Sequence, residues 1–131
     1  MRELKDHIVE GDLPQNQLKI EVIGKPGAGG ASHMYLITGF NPATNPSRGF
    51  DEPDYCAVLF QNGPILEVGV NGITQEVLLA IVIDRLRSFQ EGPFPSVPNG
   101  IALSHCVQAL SYLQERTRDR LSRGVEGTTK V

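Results

Sequence analysis

A chain of 131 residues is long enough for one domain with a modest core, and a hydrophobic content of 40% excludes a disordered polymer. A net charge of −3 excludes a general electrostatic nucleic-acid binder. Acidic residues outnumber basic ones over 1–84, whereas 85–131 is mildly basic, so a small anion suits this chain better than a long polyanion.

In chain order, residues 1–16 are polar and mixed and read as a leader or arm, with Pro14 breaking any helix. Residues 17–23 alternate apolar and polar, the signature of a half-buried strand. The loop Gly24–Gly30 is glycine-rich but lacks the Gly-Lys-Ser/Thr ending of a phosphate loop. A strand-like run, 34–38, follows it instead of a helix, so the loop reads as a mobile connection between strands. Residues 39–54, with Pro42, Pro46 and Pro53, form a long surface loop. Tyr55–Phe60 and Ile65–Val70 are apolar runs flanking Asn62-Gly63, a pattern that predicts a hairpin. These elements give an antiparallel sheet with an apolar face that needs a cover.

Two helices are predicted to supply that cover. Thr74 caps a helix over 75–90 with Leu78, Leu79, Val82, Leu86 and Phe89 on one face. Val77, Ile81 and Ile83 widen the apolar surface beyond one stripe, which predicts contact with both the sheet and a second copy. Gly92-Pro93 stops the helix and Pro95 and Pro98 keep the connection extended. A second helix starts at Asn99 and ends at Gly124. At about 37 Å it overhangs a domain of this size, which predicts a homo-oligomer. The expected fold is α+β, one domain over 1–131, with an arm (1–16), a sheet (17–72) packed against two helices (74–124), and no metal or cofactor.

Chemistry concentrates at the end of the second helix. Arg116, Arg120 and Arg123 fall on one stripe at 100° per residue, beside an apolar face of Leu103, Cys106, Leu110, Leu113, Thr117 and Leu121. Guanidinium forks match phosphate oxygens. The plainer reading is a solvated helix end paired to Glu115 and Asp119. His7, His33 and His105 are scattered, and Cys56 and Cys106 read as buried small hydrophobes in a reducing compartment. No nucleophile elbow or metalloprotease motif is present, so a binding module is expected rather than an enzyme. No run is long enough to span a membrane, and Lys5, Asp6 and Glu10 are unlike a signal peptide, which predicts a cytoplasmic protein. A small nucleotide needs arginines for phosphate, an aromatic platform for the base and an amide for its edge. Arg116 and Arg120, Phe89 and Asn99 supply these, although Phe89 also suits the core and Asn99 a plain helix cap.

The runs Phe60–Ile65, Gly69–Gly72, Leu78–Leu86, Phe89-Gln90, Arg116-Thr117 and Gly124–Thr128 resemble the first-described family of phage Thoeris anti-defence proteins. The resemblance covers roughly residues 56–128. It implies a sheet with two C-terminal helices, assembled as dimers or trimers of dimers, with no catalysis. It implies capture of glycocyclic ADP-ribose isomers (1''-2' and 1''-3') made by bacterial TIR-domain enzymes. Some members also take cyclic di- and trinucleotides of CBASS defence at separate sites. The place of action it implies is the host bacterial cytoplasm. The implied ligand residues are Phe89 on adenine, Asn99 on polar groups, and Arg116 and Arg120 on phosphate. Arg123, Asn71 and Tyr112 are further candidates. A rival reading is an interaction protein that docks a host protein through the arginine stripe. A nucleotide-cleaving enzyme is a third.

Overall fold

The computed structural model describes residues 1–131. It divides into two compact units, residues 1–63 and 64–131. An antiparallel sheet is followed by helices, the predicted α+β order.

The first unit is a four-stranded sheet in sequential order: β1 (Arg2–Leu4), β2 (Lys19–Ile23), β3 (Met34–Thr38) and β4 (Cys56–Leu59). Directly opposed residues share a face. Arg2, Val22, Tyr35 and Val58 therefore form one row across all four strands. Val22 is the unit's buried residue, at 2% exposure, and Tyr35 meets Phe60 edge-on with centroids 5.7 Å apart. Residues 1–16, read as an arm, contribute β1; three residues are too few to show an alternation. Cys56, expected to be buried, is exposed.

The glycine-rich loop connects two strands, as read, but it is fastened. The His33 ring Nε2 meets the Ala28 carbonyl oxygen at 3.1 Å. The Ala28 N–H donates to Asn62 Oδ1 at 3.3 Å. A β-carbon at Gly27 would come within 2.8 Å of the His33 ring and 2.9 Å of the Asn62 amide. The Asn62 amide thus occupies the backbone donor that a phosphate cradle would offer. Farther on, Gly39 has φ +94 and lies against the Gln17 carbonyl, where a β-carbon would sit 2.0 Å from the oxygen. Only glycine meets both demands.

In the second unit the run 65–70 is no strand. Ile65–Val68 is a short helix, α1, entered through Pro64, so Asn62-Gly63 closes no hairpin. A short apolar run fits either element, and here the local turn chemistry decides. Helix α2 (Gln75–Glu91) and helix α3 (Val97–Ser122) form an antiparallel hairpin. Thr74 Oγ1 accepts the Val77 N–H at 3.4 Å, the predicted cap. Helix α3 begins two residues earlier than predicted. Its cap is Ser96, whose Oγ accepts the Asn99 N–H at 3.2 Å. Pro98 lies inside the first turn, where a missing N–H leaves no bond unmade.

The packed seam takes Leu79, Ile83, Leu86 and Gln90 from α2 and Leu103, Cys106, Leu110, Leu113 and Thr117 from α3. Alternate spacings of four and three define such a seam. Ile83, 4% exposed, is its one buried residue. Val82 and Phe89, expected on the same face, are exposed. Leu121 is exposed as well, and Arg120 turns inward in its place. Gly124, φ +70, ends α3 as predicted. Its N–H donates to the Leu121 carbonyl at 3.1 Å, and that of Val125 to the Arg120 carbonyl at 3.0 Å, the bond pair of a Schellman ending.

Candidate functional site

The predicted ligand residues occupy opposite ends of the α2–α3 hairpin. At the tip, Gln90 Oε1 accepts the Ser96 N–H at 2.9 Å. Its Nε2 lies 3.1 Å from where a Gly100 side chain would begin. Gln90 therefore holds the two helix ends together, and with them Phe89 and Asn99. Phe89 is 47% exposed, which removes it from the core. The Arg85 guanidinium carbon stands 5.6 Å from its ring centroid, within cation–π range. Asn99 is half-buried in the first turn of α3. Its backbone is held by Ser96, and the cap role falls to that serine.

Arg116 lies 17 residues farther along α3, about 25 Å away at ~1.5 Å per residue. Its guanidinium is exposed and makes no hydrogen bond or ion pair within the chain. Tyr112, 74% exposed, stands one turn before it on the same face. Asn71, in the turn that precedes α2, belongs to this side of the hairpin.

Arg120 has a different setting from its neighbour. Its side chain is 12% exposed. Its Nη2 donates to the carbonyl oxygens of Val125 (3.0 Å) and Thr128 (3.3 Å), and Nε lies 3.7 Å from Glu126 Oε2. Arg120 therefore clasps the tail that follows α3. The tail in turn holds α1, since the Leu66 N–H donates to the Gly127 carbonyl at 3.1 Å. Arg123 is also engaged locally, through Nε to Asp119 Oδ2 (3.0 Å) and Nη1 to the Val131 carbonyl (2.7 Å). Of the predicted stripe, Arg116 alone presents a fork with no partner in its own chain.

Phe89 and Asn99 are thus brought together, and Tyr112 and Arg116 are brought together, but the two pairs are not. At about 25 Å along α3, the two pairs do not line one pocket within a single chain. A cleft of about 380 Å³ in the hairpin flank is lined by Ala80, Ile83, Arg87, Val107, Leu110 and Ser111, among others, and by none of the predicted ligand residues. Sequence reasoning missed Arg85 and Arg87. Arg85 was legible in principle, since it stands four residues before Phe89 on the same helix face.

A family model described as "Acb2/Tad1, hairpin domain" matches residues 52–118. That span contains β4, α1, α2 and α3 as far as Arg118, with Phe89, Asn99, Tyr112 and Arg116, and stops short of Arg120 and the tail. Over 71 residues the chain is 46% identical to "Thoeris anti-defense 1" of Bacillus phage SBSphiJ7, a match that covers 54% of this chain and 50% of that relative. The chain spans about half the length of the curated relative it matches.

Proposed function

The chain belongs to the Acb2/Tad1 hairpin-domain family, and from that premise we propose that it is a phage anti-defence protein that captures small cyclic nucleotides and holds them uncut. The ligands are glycocyclic ADP-ribose isomers made by TIR-domain enzymes. The place of action is the cytoplasm of the host, and no helix here is long and apolar enough to cross a membrane. Cyclic di- and trinucleotides are a second ligand class, taken at separate sites in larger assemblies.

One observation carries the reading. Arg116 presents an unpartnered guanidinium beside the exposed ring of Tyr112, while Phe89 and Asn99 present a ring and an amide at the far tip of the same hairpin. A homodimer of antiparallel hairpins joins these halves into a site for phosphate and purine. Phosphate is gripped by the fork, the purine stacks on Phe89, and Asn99 reads polar edges. A protein that works by stoichiometry needs slow release, and a ligand enclosed between two copies leaves only when that contact opens. The rival in which an arginine stripe docks a host protein has less support. Arg120 and Arg123 are engaged within the chain, so no continuous cationic patch is offered.

Addition of glycocyclic ADP-ribose should raise the melting temperature, with stabilisation of about 2.7 kcal/mol at a hundredfold excess over Kd. Heating should then release a ligand of unchanged mass. No thermal shift would leave the docking reading in place, and recovery of a cleaved nucleotide would establish an enzyme.

A further inference from the structure

The face of the sheet opposite the Val22 row carries a cavity that nucleotide capture does not use. It holds about 770 Å³ and is lined by residues of the first unit alone. Its floor is Leu36 and Thr38, alternate residues of β3 that share a face. Leu36 opposes Ala57 on β4, and a methyl group there leaves the leucine half-buried. The walls come from Phe40 and Asn41 after β3, Gln17 before β2, and Asp54 and Tyr55 before β4. These walls are fixed by the chain itself. Gly39 lies too close to the Gln17 carbonyl for any side chain, and Asn41 Oδ1 accepts the Ala43 N–H at 3.0 Å. A concave site that is already formed is what small-molecule recognition needs.

The groups left to bond in the cavity define its ligand. With its oxygen engaged, Asn41 is left with an NH2 donor. Gln17 Nε2 donates to the Pro14 carbonyl at 3.4 Å, which leaves Oε1 as an acceptor. The Asp54 carboxylate only accepts, and the hydroxyls of Thr38 and Tyr55 do both. None of these three side chains is hydrogen-bonded within the chain. Donors and acceptors therefore surround one space, beside the rings of Phe40 and Tyr55. We propose that this cavity binds an uncharged sugar ring. Neighbouring ring hydroxyls both donate and accept, which meets the mixed set. A carboxylate on ring hydroxyls is also how dinucleotide sites read ribose, and the C–H side of the ring suits a flat aromatic face. Phosphate is repelled by Asp54, with no cation in the lining to offset it. An ammonium ion satisfies Asp54 but only donates, which leaves the Asn41 NH2 facing another donor. Two sources share the sugar chemistry, the ribose of a nucleoside and a hexose of a glycan. The inference does not rest on nucleotide capture, whose residues all lie in the second unit.

Methyl ribofuranoside and methyl glucopyranoside, titrated into the full chain at millimolar concentrations, test this. At least one should shift the amide resonances of Gly39, Asn41 and Tyr55 in a saturable way, and the one that does so names the source. Neither carries a base or a phosphate, so the hairpin site stays silent. Asp54→Ala should weaken the sugar about tenfold and Thr38→Val about fivefold. Asp54 is exposed, and valine keeps the shape of threonine and suits a strand, so both variants should melt with the parent. No shift from either sugar would overturn the inference. So would a shift at these amides from spermidine or inorganic phosphate with both sugars silent, or full sugar affinity in Asp54→Ala.

Discussion

Arg116→Ala should lose capture of glycocyclic ADP-ribose while melting at the temperature of the unmodified protein. The residue is exposed and its side chain makes no hydrogen bond or ion pair within the chain, and alanine is a better helix former than arginine at an exposed position. Nothing in the folded state therefore opposes the change. The bound state loses a bidentate, charge-assisted pair of bonds and is left with a phosphate oxygen enclosed and unpaired. Together these amount to about 3 kcal/mol or more, roughly a hundredfold in Kd. Isothermal titration against the glycocyclic ligand, with a melting curve on the same preparation, checks both halves. A variant that binds as tightly as the parent would remove Arg116 from the site. A variant that melts several degrees lower would give it a structural role.

The opposite signature is expected one turn later. Arg120→Ala should destabilise the second unit by about 2–4 kcal/mol whether or not ligand is present. The side chain is nearly enclosed, it satisfies the Val125 and Thr128 carbonyls, and it neutralises Glu126. One oxygen of that carboxylate is already buried without a hydrogen bond. Removing the guanidinium leaves an uncompensated charge there, which is why the cost exceeds that of an exposed ion pair. The tail should loosen first. Amide exchange should accelerate at Val125, Thr128 and Leu66, whose N–H groups are held in this corner. An unaltered melting temperature and unaltered exchange would show that the clasp contributes nothing. Capture by this variant falls as well if Arg120 leaves the clasp to meet phosphate, so the melting curve distinguishes it from Arg116.

The pair illustrates what could be read from residues alone. Periodicity placed both arginines on one stripe and both helices within two residues of their ends, because an apolar seam at alternate spacings of three and four is written in side-chain type. It could not separate Arg116 from Arg120. The partners of Arg120 are mostly backbone carbonyls, which any residue supplies. Phe89 was ambiguous for a related reason. Gln90, a polar residue, takes the seam position at the end of α2, and its amide works as the tie across the hairpin tip. In the sheet unit β2 was legible from alternation, and β3 and β4 from their strand-like apolar runs. β1 was too short to show either, and Ile65–Val68 carried strand-forming residues into a helical turn after Pro64. The separation of Phe89 from Arg116 was available from helix rise alone, and it is the reason the proposed site needs two chains.

That two-chain site can be tested without knowing its affinity. Phe89→Ala and Arg116→Ala chains should each fail to deplete glycocyclic ADP-ribose from solution. Mixed in equal amounts, unfolded and refolded together, they should recover about a quarter of the unmodified capacity. Half of random dimers pair unlike chains, and each such dimer has one site with both intact halves. No recovery from the mixture, with mixed dimers confirmed by mass, would mean that Phe89 and Arg116 act within one chain or not at all.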